Sequence, residues 1–287
     1  MTANLIDGKE IAKTTRSRIK EEVEQLVEQG TTPSLTVILI GDDPASHSYV
    51  KGKERACEQA GITSVVKRHP ETFTEAELVE EIRTLNEDSS VHGILVQLPL
   101  PKHIDETVVL DEISPHKDVD GFHPENVGQL LSGGEGFVPC TPLGIIEMLK
   151  LTGVEIEGKH AVVVGRSNLV GKPVGQLLLN ENATVTYCHS KTKDLYKHTL
   201  DADILIAAVG RPQMIGVEGI KPGACVIDVG VNRVDGKLIG DVQFDEAKEI
   251  AGWITPVPGG VGPMTITMLL HNTVLAAKRL GRCNDRT

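Results

Sequence analysis

The chain has 287 residues, 40% of them hydrophobic, and a formal charge of −11. This length suits two domains or one large one, and the apolar content is ordinary for a globular protein with a real core. The acidic balance repels phosphate backbones and acidic membrane surfaces, so neither nucleic acid nor a membrane is expected as a partner.

Residues 11–29 read as an amphipathic helix stopped by Gly30. Residues 35–40 form a short apolar run, the pattern of a buried strand. Asp43 and Pro44 then open a helix, as cap and first position. Residues 64–67 read as a weaker strand, 75–85 as a helix, and 93–97 as a third strand cut off by Pro99 and Pro101. This βαβα alternation implies a parallel sheet under helical cover, and aromatics at 3% leave its packing to Val, Ile, Leu and Ala. Residues 118–142, rich in Gly, Pro and Asp, read as a loop and domain crossover, followed by a helix over 143–151.

The second half has the order of a Rossmann-like unit. Strand 160–164 runs into a turn, then a helix to Leu179; strands follow over 184–187, 203–207 and 224–228. The expected fold is α/β with two α/β domains, over 1–139 and 140–264. A final helix, 265–287, is apolar on most faces and is expected to pack back on the first domain. The five cysteines are isolated and odd in number, with no C-x-x-C pair, which speaks against a disulfide framework or zinc site and suits a reducing, cytoplasmic setting. No metal site is expected. Residues 1–13 carry Asp7 and Glu10 and no apolar segment, so they do not read as a secretory leader.

Gly165 and Gly171 bracket the strand-to-helix turn Gly165-Arg166-Ser167-Asn168-Leu169-Val170-Gly171. Such a turn lets backbone N–H groups approach a phosphate at a helix N-terminus. It lacks the G-x-G-x-x-G spacing, so a plain connection remains an alternative. The next strand ends in Tyr187-Cys188-His189-Ser190-Lys191, without the carboxylate that holds a ribose hydroxyl in NAD sites. Arg166 with the Ser190 hydroxyl would instead suit a 2′-phosphate, favouring NADP; solvated surface charge is the competing reading of Arg166 and Lys191.

Tyr49 and Lys53 lie four apart on one helix face. Spacing alone makes them ordinary helix decoration. Their place, early in a helix that follows a parallel strand, puts them on the ligand-binding edge of an α/β sheet. Gln97 ends the third strand at the same edge; its donor and acceptor atoms could bond a lysine amine or a heterocycle, and taken alone it reads as a plain capped strand end. The loop from Asp118 to Pro124 is turn-prone and acidic; a carboxylate there, Asp118 or Asp120, could pair with a nitrogen-rich ring or serve a plain Asp-Gly turn. Pro256-Val257-Pro258-Gly259-Gly260-Val261-Gly262-Pro263 fixes the backbone and strips it of side chains before a helix, which suits a ligand surface or a hinge.

Taken together, these strings resemble the bifunctional methylenetetrahydrofolate dehydrogenase/cyclohydrolase family. The matching segments are Tyr49-Val50-Lys51-Gly52-Lys53, Val96-Gln97-Leu98-Pro99-Leu100-Pro101, Asp118-Val119-Asp120-Gly121-Phe122-His123, the Val164 to Pro173 turn, Asp228-Val229-Gly230-Val231-Asn232, and Pro256 to Thr265. They run in order over nearly the whole chain. The resemblance implies a folate-binding catalytic domain and an NADP-binding domain, a catalytic cleft between them, and a homodimer. It implies that Lys53 is the central catalytic residue, supported by Gln97, and that Tyr49 stacks on the folate and Asp120 anchors its pterin. Leu98, Pro258, Gly259, Gly260 and Val261 would line the folate. Gly165, Arg166, Ser167, Ser190 and Val231 would contact NADP; Val231 stands where many relatives carry Ile. Short-chain dehydrogenases also use Tyr-x-x-x-Lys, but there the pair follows the glycine turn, whereas Tyr49 and Lys53 precede Gly165. A non-catalytic nucleotide-binding protein would have no need to keep Lys53, Gln97 and Asp120 together.

Overall fold

The computed structural model describes residues 2–284. They fall into two compact units. One gathers the residues up to Lys13 with Thr141–Thr265, the other Thr14–Cys140 with the chain from Ile266 onward. The chain opens with a two-residue strand β1 (Asn4–Leu5) and a long helix α1 (Gly8–Glu28).

In the second of these units, strand β2 (Ser34–Ile40) is buried along its whole length. It leads into α2 (Pro44–Ala60), capped by Asp43, whose side chain accepts from the Ser46 amide at 2.8 Å. Then come β3 (Thr63–His69), α3 (Glu75–Glu87) and β4 (Gly93–Val96). The three strands form a parallel sheet in the order β3-β2-β4. The α3 cap is a full capping box: Thr74 and Glu77 satisfy one another's backbone amides. Ile38, Ile94, Leu78 and Ile82 are fully buried where the sheet meets its helices. Burial of each such side chain contributes about 1.5–3 kcal/mol. Helices α4 (Glu106–Glu112) and α5 (Pro124–Ser132) follow. The composition of 118–142 reads as loop, yet α5 forms inside it. Pro124 sits in its first turn, His123 caps it through Nδ1, and Gly133 ends it in the left-handed conformation.

The other unit begins with α6 (Cys140–Leu151). Its elements are β5 (His160–Val164), α7 (Gly171–Asn180), β6 (Thr184–Cys188), α8 (Leu195–Thr199), β7 (Ile204–Ala207) and β8 (Cys225–Asp228). A hairpin of β9 (Asn232–Val234) and β10 (Lys237–Ile239), helix α9 (Phe244–Ala247) and β11 (Trp253–Ile254) complete it. The six-stranded sheet has the order β1-β11-β8-β7-β5-β6, all parallel. This is the doubly wound arrangement, with its topological switch between β5 and β7. The hairpin strands and β11 are only two or three residues long, too short for a periodic signal.

The expected first domain, 1–139, takes in the first thirteen residues. The structure groups them with Thr141–Thr265 instead, because Asn4 and Leu5 pair in parallel with Trp253 and Ile254 as an added edge strand. A two-residue strand leaves no pattern in a sequence. The last helix, α10 (Val261–Asn284), starts four residues before the expected Thr265; residues 285–287 of the expected span lie outside the described residues. No described helix is long and apolar enough to cross a membrane.

Candidate active site

Lys53 sits on α2 with 6% of its surface exposed. Its ammonium donates to Gln97 Oε1 at 3.0 Å, the one hydrogen bond it makes among the described residues. Gln97 follows β4 directly, and its amide N–H donates to Ile38 O, so the β-ladder fixes where its side chain starts. Its Nε2 donates to Leu98 O at 2.7 Å, which leaves Oε1 turned to the lysine. One turn earlier on α2, Tyr49 is 41% exposed, with its ring centroid 5.9 Å from Lys53 Nζ. A broad exposed aromatic face thus adjoins a shielded amine. Burial pushes the Tyr49 hydroxyl's pKa up.

Asp120 completes this group. Ile94 of β4 bridges Asp118 in parallel, and the Ile94 amide donates to Lys117 O at 2.8 Å. That pairing carries the chain alongside β4 toward the end where Gln97 stands. Asp118 and Asp120 then divide the work. The Asp118 carboxylate accepts from Gly121 N, His123 N and Asn126 Nδ2 at 2.8–3.1 Å, so it is consumed in holding the loop. Asp120 keeps some accessible surface, yet desolvation pushes its carboxyl's pKa up, while the Lys53 ammonium pulls the other way. Gly121 is required at the turn: its φ is +78°, and a Cβ there would lie 2.6 Å from the Pro139 nitrogen.

Three residues that the sequence motifs do not single out shape this loop. Asn272 of α10, 1% exposed, donates to Val119 O at 2.8 Å and Val138 O at 3.0 Å. Cys140 is buried and donates to Val119 O at 3.3 Å; burial holds its thiol neutral, well above the usual range. Asn126 Oδ1 accepts from the Phe137 amide at 3.0 Å. A lone Asn on an otherwise apolar helix face is the one signal that marks Asn272 in the sequence.

In the unit containing Thr141–Thr265, sheet register aligns a second set of residues. Val164 pairs with both Cys188 and Ala207, and Ala207 pairs with Asp228. The turns carrying Arg166, Ser190 and Val231 therefore leave the same carboxyl edge, where open α/β sheets bind ligands. Gly165 has φ +132°, and a Cβ there would meet Ala208 O at 2.2 Å; one on Gly171 would meet Gly165 O at 2.5 Å. Glycine alone satisfies both positions. Ser167 Oγ accepts from Val170 N and Gly171 N, closing the first turn of α7. Among the described residues, the amides of 166–169 donate to no protein atom. Arg166 and Ser190 are exposed, and Val231 is 54% exposed. The four free backbone donors, a guanidinium and a helix N-terminus suit a phosphorylated ligand. In the last segment, Gly259 has φ +107° and a Cβ on Gly260 would meet Pro256 O at 2.6 Å, so both glycines are conformationally required. Pro258 is exposed and Val261 buried. No cluster of His, Cys, Asp or Glu among the described residues could hold a metal ion.

Two family profiles match the chain. Residues 6–120 match the catalytic domain of tetrahydrofolate dehydrogenase/cyclohydrolase, and residues 139–281 match its NAD(P)-binding domain. The bifunctional protein FolD of Bacillus thuringiensis (strain Al Hakam) is 62% identical over 282 residues, covering 98% of this chain and 99% of the relative. Among solved structures, the Campylobacter jejuni FolD methylenetetrahydrofolate dehydrogenase/cyclohydrolase is 51% identical with a TM-score of 0.95, covering 96% of this chain and 99% of that one. The Trypanosoma brucei methylenetetrahydrofolate dehydrogenase-cyclohydrolase, solved with NADP cofactor and inhibitor, is 43% identical with a TM-score of 0.94, covering 98% of this chain and 99% of that one.

Proposed function

This chain belongs to the tetrahydrofolate dehydrogenase/cyclohydrolase family, and on that premise we propose that Lys53 governs the water chemistry on folate while the Gly165 turn holds NADP. The enzyme oxidises 5,10-methylenetetrahydrofolate to the 5,10-methenyl cation and then hydrolyses that cation to 10-formyltetrahydrofolate. In the first reaction a hydride leaves the one-carbon bridge. In the second, water adds to the electrophilic carbon, one carbon–nitrogen bond opens, and a proton is released.

When bound, NADP supplies the acceptor for the hydride. The residues proposed to hold it are Gly165, Arg166, Ser167, Ser190 and Val231. The open amides of 166–169 support a nucleotide phosphate, and Arg166, Ser190 and the absence of a carboxylate after β6 support NADP over NAD. For folate, we assign Tyr49 to stack on the ring system, Asp120 to bond the pterin nitrogens, and Leu98, Pro258, Gly259, Gly260 and Val261 to line it. Lys53 moves the protons of the hydrolytic step, and Gln97 orients it.

The observation that carries this reading is the shielded Lys53 amine, bonded among the described residues only to Gln97 Oε1 at 3.0 Å. Two of its three N–H donors stay available to a water or a substrate nitrogen. The free state of the four described cysteines supports a reducing, cytoplasmic setting, and the family resemblance supports a homodimer. The test is an absorbance assay that follows methenyltetrahydrofolate and reduced nucleotide together, with methylenetetrahydrofolate and either NADP or NAD. We expect both products and a preference for NADP. Nucleotide reduction with no loss of the methenyl compound would remove Lys53 from its role.

A further inference from the structure

Below the carboxyl edge of β7 and β8 lies a pair of buried carboxylates that the roles assigned above leave unused. Asp241 is fully buried. Its Oδ2 accepts from Val209 N at 2.7 Å and Gly210 N at 2.9 Å, in the turn after β7. Its Oδ1 accepts from Arg211 N and from Asn232 Nδ2, each at 2.9 Å, and Asn232 stands next to Val231 in the segment after β8. Asp228, at the end of β8, accepts from Gly230 N, Asp241 N and Val242 N, all at 2.9 Å. Two glycines make room for this arrangement. A Cβ on Gly230 would lie 2.2 Å from Asp241 Oδ1, and one on Gly240 would lie 1.9 Å from Asp228 Oδ2. Seven N–H groups thus converge on two carboxylates and tie three chain segments together.

The position of this knot gives it a consequence for the nucleotide. The switch point lies between β5 and β7. In a doubly wound sheet the dinucleotide spans that point, one half over the β5–β6 side and the other over the β7–β8 side. Arg166 and Ser190 belong to the first side, so the adenosine 2′-phosphate is assigned there. The turns at 209–211 and 229–232 belong to the second. We propose that Asp241 is a positioning residue for hydride transfer: it fixes the two turns that receive the nicotinamide half of NADP, and has no part in holding the 2′-phosphoadenosine half. This rests on the assignment of NADP to the Gly165 turn. Charge-assisted hydrogen bonds to a buried carboxylate are among the stronger single interactions in a fold, and their donors are left orphaned when the acceptor is removed. The Asn232 side chain links Asp241 directly to the residue beside Val231.

The experiment compares the parent enzyme with Asp241→Asn and, as a milder variant, Asn232→Ala. Three quantities are read: dehydrogenase kcat/KM for NADP, cyclohydrolase rate on methenyltetrahydrofolate without nucleotide, and the calorimetric Kd of 2′-phospho-ADP-ribose, which lacks the nicotinamide ring. For Asp241→Asn we expect a fall in dehydrogenase kcat/KM on the order of ten-fold or more, with the cyclohydrolase rate and the Kd of the fragment unchanged. Asn232→Ala removes one donor and should shift the same quantity in the same direction, by less. A parallel fall of all three quantities would reduce Asp241 to a general element of the fold, and no change in any would equally overturn the proposal. If Asp241→Asn does not fold, Asn232→Ala decides by the same outcomes. A parent enzyme that fails to bind the fragment would instead overturn the NADP assignment itself.

Discussion

Replacing Lys53 with Met separates the chemistry from the fold more cleanly than any other substitution. The two side chains are similar in length, and Lys53 is 6% exposed, so methionine fills the same space without a large cavity. The structural loss is one hydrogen bond to Gln97 Oε1. Gln97 is only half-buried, so water can replace the lysine, and removing a shielded charge offsets part of the cost. The net stability change should stay within about 1 kcal/mol. The chemical loss is of another size. Positioned proton transfer contributes roughly 100- to 10,000-fold in rate, or about 3–5 kcal/mol of barrier at about 1.4 kcal/mol per decade. Loss of methenyl absorbance at substrate saturation, read beside a urea unfolding curve and an NADP titration, measures both. A variant that is folded, binds NADP and hydrolyses the methenyl compound at near the parent rate would refute the argument.

Arg166→Ala should raise the KM for NADP by about ten-fold or more, since a charged hydrogen bond to phosphate is lost, and leave the KM for NAD almost unchanged; an equal effect on both would reassign Arg166 to surface charge. Asp120→Ala should weaken folate binding on the order of ten-fold with little change in NADP affinity, as fluorescence titration of each ligand would record; unaltered folate affinity would exclude Asp120 from the pterin site. The Asp228 carboxyl is pushed up to about 6 by burial, against about 3.9 in an unfolded chain. Between these values the folded state binds more protons than the unfolded one, so this group's contribution to stability falls as pH rises through that window and is flat outside it. The urea midpoint of the parent minus that of Asp228→Asn, followed from about pH 4 to about pH 7, should therefore decrease with pH; an increase would contradict the burial argument.

The parallel architecture was legible because strands such as Ser34–Ile40 and His160–Val164 are apolar along their length and stand at strand–helix spacing. The α2 cap was legible in Asp43 and Pro44, which the structure uses as a cap and first helical position. Long-range pairing was not. Nothing in Asn4 and Leu5 foretells an edge strand against Trp253 and Ile254, more than two hundred residues away. Helix α5 was hidden because its start and stop residues, His123-Pro124 and Gly133, are also turn formers. At the site, spacing put Tyr49 and Lys53 on one helix face, and the structure adds the contact between Lys53 and Gln97 across 44 residues of chain. Sequence could not rank the two aspartates of Asp118-Val119-Asp120. Only the hydrogen bonds reveal that Asp118 is spent on Gly121, His123 and Asn126, while Asp120 is left beside Lys53. Asp241 and Asn272 act through backbone amides and carbonyls brought to them by folding, and such partners leave no residue pattern to read.

The most direct test of the whole account follows the atoms of the one-carbon unit. Methylenetetrahydrofolate with both methylene hydrogens replaced by deuterium is incubated with the enzyme and NADP, and the products are weighed by mass spectrometry. One deuterium is expected in the reduced NADP and the other in the formyl group of 10-formyltetrahydrofolate. Unlabelled reduced nucleotide, or a labelled methenyl compound that accumulates without enzyme-dependent conversion to the formyl product, would contradict it.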